Sequence, residues 1–209
     1  MRFPFAFVVI VTVLAPICAA ACQTSEKAAP YCSTFYYTHD NLRLEAYFFK
    51  PSGPGPYPLV LYNHGSRPGE ERVEWPVLFI GRLLTSAGYA VLVPERRGYG
   101  KSEGTPFVDE IGDDRGPRFM ARLEAETGDA LAAVDYAKEH LPIDKKRIAI
   151  MGFSFGGIVT TLAASRSSDF VADVNQAAGA LTWNKSPELQ RRFRRRRRRS
   201  RFRCSAWLP

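Results

Sequence analysis

The segment Gly152-Phe153-Ser154-Phe155-Gly156-Gly157 carries residue types at a spacing that could support covalent chemistry. An apolar run ends at Met151 and a helical pattern begins near Phe155. A chain that turns at once from strand to helix forces its middle residue into a strained conformation, with the side chain held out at the strand's carboxyl end. Glycine is required on either side, because a side chain there would clash with the turn. Ser154 is thereby placed at a helix N-terminus, where free N–H groups and the dipole favour negative charge. The chemistry would be acyl transfer, with Ser154 as nucleophile and the Phe155 amide facing the developing oxyanion. Gly152, Gly156 and Gly157 form the elbow. The bare pattern is common; its position between strand and helix is what makes it informative. A second piece is His64-Gly65-Ser66, which follows the apolar run Leu59–Tyr62. The backbone amide of Ser66 is the candidate for the second oxyanion donor. His64 reads as a structural residue of that turn rather than a base.

The surrounding pattern must supply the strands and helices that position these residues. Thr34–Tyr37 and Leu42–Phe49 read as strands joined by the turn cluster His39-Asp40-Asn41, and Pro51–Pro58 reads as loop. Short continuous apolar runs follow at Leu59–Tyr62, Ala90–Val93 and Arg147–Met151, as expected of strands buried on both faces, and Phe170–Val174 reads as a fourth strand. Helical spacing lies between them: Trp75, Leu78, Phe79 and Leu83, closed by Gly88; then Ala130, Val134, Ala137 and Leu141, capped by Asp129 and stopped by Pro142; then Ile158–Ser165. Gly104–Arg118 is rich in acids, Gly and Pro and reads as an irregular excursion over the sheet's edge. Strand alternating with helix predicts an α/β fold, a mostly parallel sheet with helices on both faces and two N-terminal strands at one edge.

Composition sets the outer limits. The 209 residues are 45% hydrophobic and 24% charged, which excludes collagen-like and wholly disordered chains. The net charge of +8 comes from one stretch, since Arg191 to Arg203 holds ten arginines and no acid. Without those ten, 19 Lys and Arg face 21 Asp and Glu, and the body is near neutral. The N-terminus has the form of an export signal over residues 1–21: Arg2, an apolar run from Phe3 to Ile17, then Ala19-Ala20-Ala21. That run is too short and too Pro-broken for a stable membrane span after cleavage. Residues 22–33 read as a linker, residues 34–190 as the domain, and residues 191–209 as an Arg-rich aberrant tail. Cys22 directly follows the small residues, which leaves a lipid anchor open beside a Cys22–Cys32 disulfide and unpaired thiols. No cysteine pair is spaced as a metal knuckle, and neither a metal nor an organic cofactor is implied.

In Asn63-His64-Gly65-Ser66, Arg96-Arg97-Gly98-Tyr99-Gly100-Lys101-Ser102 and Gly152 to Gly157, the chain resembles the α/β-hydrolases. The likeness is to their dienelactone-hydrolase-like and serine-peptidase-like branches and covers about Leu42 to Leu189. Dienelactone hydrolases proper use cysteine as nucleophile, so Ser154 points to ester or peptide-bond hydrolysis on a small-molecule ester or a peptide. The Arg96–Ser102 segment is usually structural in such folds; ion pairing within the loop is the expected role of Arg96 and Arg97, with a substrate carboxylate as the alternative.

The resemblance also implies an acid and then a histidine downstream of the serine. The three histidines, His39, His64 and His140, all precede Ser154, and the acids after it are Asp169, Asp173 and Glu188. The chain then turns into Arg191-Arg192-Phe193 and six consecutive arginines, a block that repels itself and cannot form a buried strand. The family's last two strands are therefore expected to be missing, as after a shifted reading frame or a truncated gene. The expectation is an exported serine hydrolase whose activity in this chain is impaired. Two alternatives stand beside it: a non-catalytic exported protein on a hydrolase scaffold, and an arginine-tail anion or nucleic-acid binder. No nucleic acid is expected as a partner on the first reading.

Overall fold

Strand residues alternate between two faces, and the sheet at the centre of this protein divides its apolar residues accordingly. The computed structural model describes residues 31–67, 77–179 and 182–197. Among these residues six strands form one sheet: β1 (Tyr31–His39), β2 (Leu42–Lys50), β3 (Tyr57–Asn63), β4 (Ala90–Glu95), β5 (Ile143–Phe153) and β6 (Phe170–Gln176). Their order is β1-β2-β4-β3-β5-β6. β4, β3, β5 and β6 run parallel, and the β1–β2 hairpin joins antiparallel at the β4 edge. The mostly parallel sheet with an N-terminal hairpin at one edge is thus as the sequence predicts.

Two apolar layers sandwich the sheet. On one face Leu44, Ala46, Phe48, Leu59, Leu61, Leu92, Ile148 and Ile150 pack against helices. On the other Tyr47, Phe49, Tyr62, Val91 and Val93 pack with Ile80 of α1 (Leu78–Ser86). β4 is buried along its whole length, which is why its sequence shows a continuous apolar run and no alternation. The remaining helices are α2 (Phe107–Ile111), α3 (Pro117–His140), α4 (Phe155–Arg166) and α5 (Pro187–Arg197), with a short 3₁₀ turn at Trp183–Lys185. α4 buries every residue from Phe155 to Ala164, so it shows little amphipathic patterning.

Three local expectations are corrected. The stretch Gly104–Arg118 is not wholly irregular: it contains α2 and the first turn of α3. Asp129 caps no helix, because α3 already begins at Pro117, with proline at its first position. Arg122, Glu126 and Asp129 are buried in α3, and their paired charges hide the apolar face that a periodicity reading looks for. β5 begins at Ile143, four residues before the predicted run.

Two other boundaries differ from those read in the sequence. β1 starts at Tyr31, within the expected linker. α5 runs through the expected domain end at Gln190, and its Leu189 and Phe193 are buried. Phe193 meets Trp183 edge-on at 5.9 Å, and Arg192 pairs with Glu124 of α3 at 3.0 Å. An apolar pair four residues apart allows the first arginines to ride on a helix that docks, with their heads toward solvent. The export signal, Cys22 with its lipid or disulfide, and the end of the arginine block lie outside the described residues. Cys32 is exposed.

Candidate active site

The parallel strands end together, and Ser154 stands at their carboxyl ends. Asn63 at the end of β3 is in register with Gly152 of β5, and Phe153 is in register with Gln176 of β6. This is where open α/β sheets place their ligands. Ser154 adopts φ 52°, ψ −118°, a conformation costly for any residue with a Cβ. Its N–H donates to the Gln176 carbonyl at 2.8 Å, and its carbonyl accepts from the Gly157 N–H at 3.0 Å. The residue is therefore locked between β6 and the first turn of α4. It is half-buried, and among the described residues no side chain hydrogen-bonds its hydroxyl.

The three glycines around it are explained by close approach. A Cβ on Gly152 would run into the Gly156 carbonyl and Thr160 Oγ1. One on Gly156 would run into the carbonyls of Asn63 and His64. One on Gly157 would lie 2.9 Å from the Ala178 Cβ. The elbow is thus wedged against the loop that follows β3. A Cβ on Gly65 of that loop would lie 3.4 Å from the Ser154 Cβ, so the two predicted segments do meet. Phe155 opens α4, where the first N–H groups have no intrahelical acceptor. Ser66 is exposed, on the loop beside the elbow.

Among the described residues the His64 ring makes no hydrogen bond to the serine, and its partners lie elsewhere. Its ring is buried, and Nδ1 donates to the Gly65 carbonyl at 2.7 Å. Its edge packs on Tyr99 with centroids 4.7 Å apart, and Nε2 lies 4.0 Å from a Glu95 carboxylate oxygen. Burial, followed by the nearby Arg96 and Arg67 cations, holds its pKa well below the usual imidazole value. His64 is neutral and built into the turn. His140 lies at the exposed end of α3 against Tyr136, and His39 lies beside Asp40. Among the described residues no imidazole reaches Ser154. Asp169 is bound by Lys138 at 3.0 Å and by Ser167, and Glu188 by Arg191.

A buried ionic network, which sequence reasoning did not assemble, supports the β3 loop. Arg67 donates from both guanidinium nitrogens to Glu95, at 2.7 Å each. Arg96 binds Glu126 at 2.8 Å and donates to the His64 carbonyl at 2.9 Å. Arg122 binds Glu126 at 2.8 Å and caps the Arg97 carbonyl at 2.7 Å. Arg97 pairs with Asp129 and Asp40. Both arginines of the Arg96-Arg97 pair are thus committed within the fold, to carboxylates of α3 and of the β1–β2 turn rather than within their own loop as expected. Burial alone would lower the Arg96 pKa, but the Glu126 carboxylate more than offsets it and the cation is secured. Glu95 moves upward, because burial outweighs the Arg67 and Arg96 charges. The charged run Glu95-Arg96-Arg97 at a strand end was the available signal. Partners 30 residues or more away in sequence could not be read from it.

Comparison with known proteins agrees with this geometry. Residues 40–191 match the family model described as X-Pro dipeptidyl-peptidase (S15 family). The chain is 29% identical over 168 residues to the Bacillus subtilis protein named uncharacterized peptidase YtmA, covering 78% of this chain and 58% of that one. It is 28% identical over 140 residues to the quorum-quenching protein AidA of Acinetobacter baumannii, covering 67% and 41%. The chain therefore spans only about two fifths to three fifths of these relatives' lengths. Among solved structures, an acylaminoacyl peptidase of Pyrococcus horikoshii superposes with a TM-score of 0.56 at 18% identity, over 72% of this chain and 23% of that one. The α/β hydrolase GrgF of a Penicillium species gives 0.54 at 24% identity, over 69% and 45%. The superpositions show the α/β-hydrolase fold, and the family match over most of the chain shows that it belongs to the X-Pro dipeptidyl-peptidase S15 family.

Proposed function

We propose that this protein is a serine hydrolase of an ester or amide bond, acting through an acyl-enzyme on Ser154. The observation that carries the reading is the left-handed Ser154 at the carboxyl ends of three parallel strands. In the proposed reaction Ser154 Oγ bonds to the substrate carbonyl carbon and gives up its proton to a base. The amides of Phe155 and Ser66 hold the oxyanion. The bond to the alcohol or amine then breaks, and water later releases the acid. Relatives named as peptidases and a structural neighbour titled esterase Est22 support a small-molecule ester or a peptide as substrate. The order of the three motifs supports the dienelactone-hydrolase-like likeness, with serine in place of cysteine.

The chain is proposed to be impaired on its own. Its three histidines precede Ser154, and His64 is turned into the ionic network. A serine without a base and its carboxylate loses on the order of a millionfold in rate. Export rests on residues 1–21, with anchorage through Cys22 as its extension. Among the described residues no helix is long and apolar enough to cross a membrane.

The test is acetylation by p-nitrophenyl acetate, read by peptide mass mapping with and without added imidazole. The expected result is slow acetylation of Ser154, accelerated by imidazole and absent in Ser154→Ala. A fast burst without imidazole would overturn the impairment. An unmodified Ser154 at high imidazole would favour the non-catalytic scaffold, which the orientation of His64 otherwise supports.

A further inference from the structure

We propose that Arg67 and Glu95 are positioning residues for the Ser66 amide. The inference rests on the reading of Ser66 as an oxyanion donor and extends it to the groups that fix that donor in place. Ser66 is exposed, so burial does not fix its peptide. The segment around it is fastened at both ends. On its N-terminal side the Asn63 amide donates to Thr160 Oγ1 of α4 at 2.9 Å, and the His64 carbonyl accepts from Arg96 at 2.9 Å. On its C-terminal side the next residue, Arg67, is held by two parallel hydrogen bonds to Glu95. Arg67 and Glu95 are both buried, at 7% and 0% exposure, so solvent does not loosen the pair. A bidentate arginine–carboxylate pair fixes orientation as well as distance.

The chemistry gives this fork a purpose. An oxyanion donor works only where its hydrogen is aimed before the charge develops. A loop anchored on one side could swing its peptide plane; one anchored on both sides cannot. Glu95 is the last residue of β4, next to β3 in the sheet, and β4 thereby sets the angle of a peptide that follows β3. Arg67 and Glu95 need not touch substrate to do this.

The experiment compares the parent with Arg67→Lys and Arg67→Met. Lysine keeps the charge and loses the fork. Methionine keeps the stem, and Glu95 still has Arg96 nearby. Two readouts are taken on samples whose melting temperatures show that they are folded. The first is the ¹⁵N order parameter of the Ser66 amide, expected near 0.85 in the parent and below about 0.6 in both variants. The second is imidazole-assisted acetylation of Ser154. The maximal rate is expected to fall roughly 30-fold, with an unchanged half-saturating ester concentration; outright loss of an oxyanion donor costs about 10² to 10³, and here the donor is loosened rather than removed. A Ser66 amide as rigid in Arg67→Met as in the parent overturns the proposal, and so does an acetylation rate within twofold of the parent. If the parent is not acetylated at all, the hydrolase reading fails, and the order parameter alone decides whether the fork holds the loop.

Discussion

The Asn63 side-chain amide donates to Thr160 Oγ1 at 2.9 Å, across 97 residues of sequence, with both side chains fully buried. This bond ties the end of β3 to the helix that carries the elbow. Thr160→Val keeps the shape and strands the amide. It is expected to destabilise the fold by about 1–3 kcal/mol in urea titrations, with Thr160→Ser close to the parent.

Gly156 lies against the backbone carbonyls of Asn63 and His64. Backbone cannot yield as the tip of a long side chain can. Gly156→Ala is therefore expected to cost about 3 kcal/mol or to prevent folding, although alanine favours helix. An unchanged urea midpoint for the variant would contradict the close approach.

At Ser154 the strain is conformational. A residue with a Cβ at φ 52°, ψ −118° costs about 1–3 kcal/mol, which glycine escapes. Ser154→Gly is expected to raise stability by roughly 1 kcal/mol while abolishing acetylation. Ser154→Ala abolishes acetylation without that gain. Paired denaturation curves of the two variants check the difference.

Glu126 serves Arg96 and Arg122 at once, and all three side chains are buried. Removing the carboxylate leaves two cations short of a partner. Glu126→Ala is expected to cost about 3–5 kcal/mol, more than its half-buried neighbour Glu124→Ala. Thermal melts of the two variants provide the check.

The depressed His64 pKa gives a pH dependence of definite sign. The folded ring stays neutral while the unfolded ring takes up a proton below its ordinary value of 6.5. Stability from this residue is complete above that pH. It declines as pH falls toward the folded pKa, at up to about 1.4 kcal/mol per pH unit. Glu95, shifted upward, works in the opposite sense in more acid solution. His64→Gln should therefore flatten the urea-midpoint profile between about pH 6.5 and 5 relative to the parent.

The sheet was legible where side chains face apolar layers on both sides, as at Ala90–Val93 and Leu59–Tyr62. The elbow was legible too, because Gly152, Gly156 and Gly157 are demanded by backbone contacts that any strand–helix turn of this kind makes. α3 was half hidden. Arg122, Glu126 and Asp129 are polar by type and buried by pairing, and a periodicity reading takes such residues for surface. The clamp on the β3 loop was invisible for the same reason: Arg67 and Glu95 are 28 residues apart, and neither belongs to a local pattern. In α5, the run of arginines drew the eye from Leu189 and Phe193, the two residues that seat the helix.

Among the described residues β6 is one of the two outermost strands, opposite β1, and its Val171 and Val174 are about half exposed. Its far rim offers a ladder of main-chain donors and acceptors to whatever extended segment arrives first. An edge of this kind can pair with any extended segment of matching register, so the yield of soluble protein is expected to fall with concentration and temperature before the core is lost.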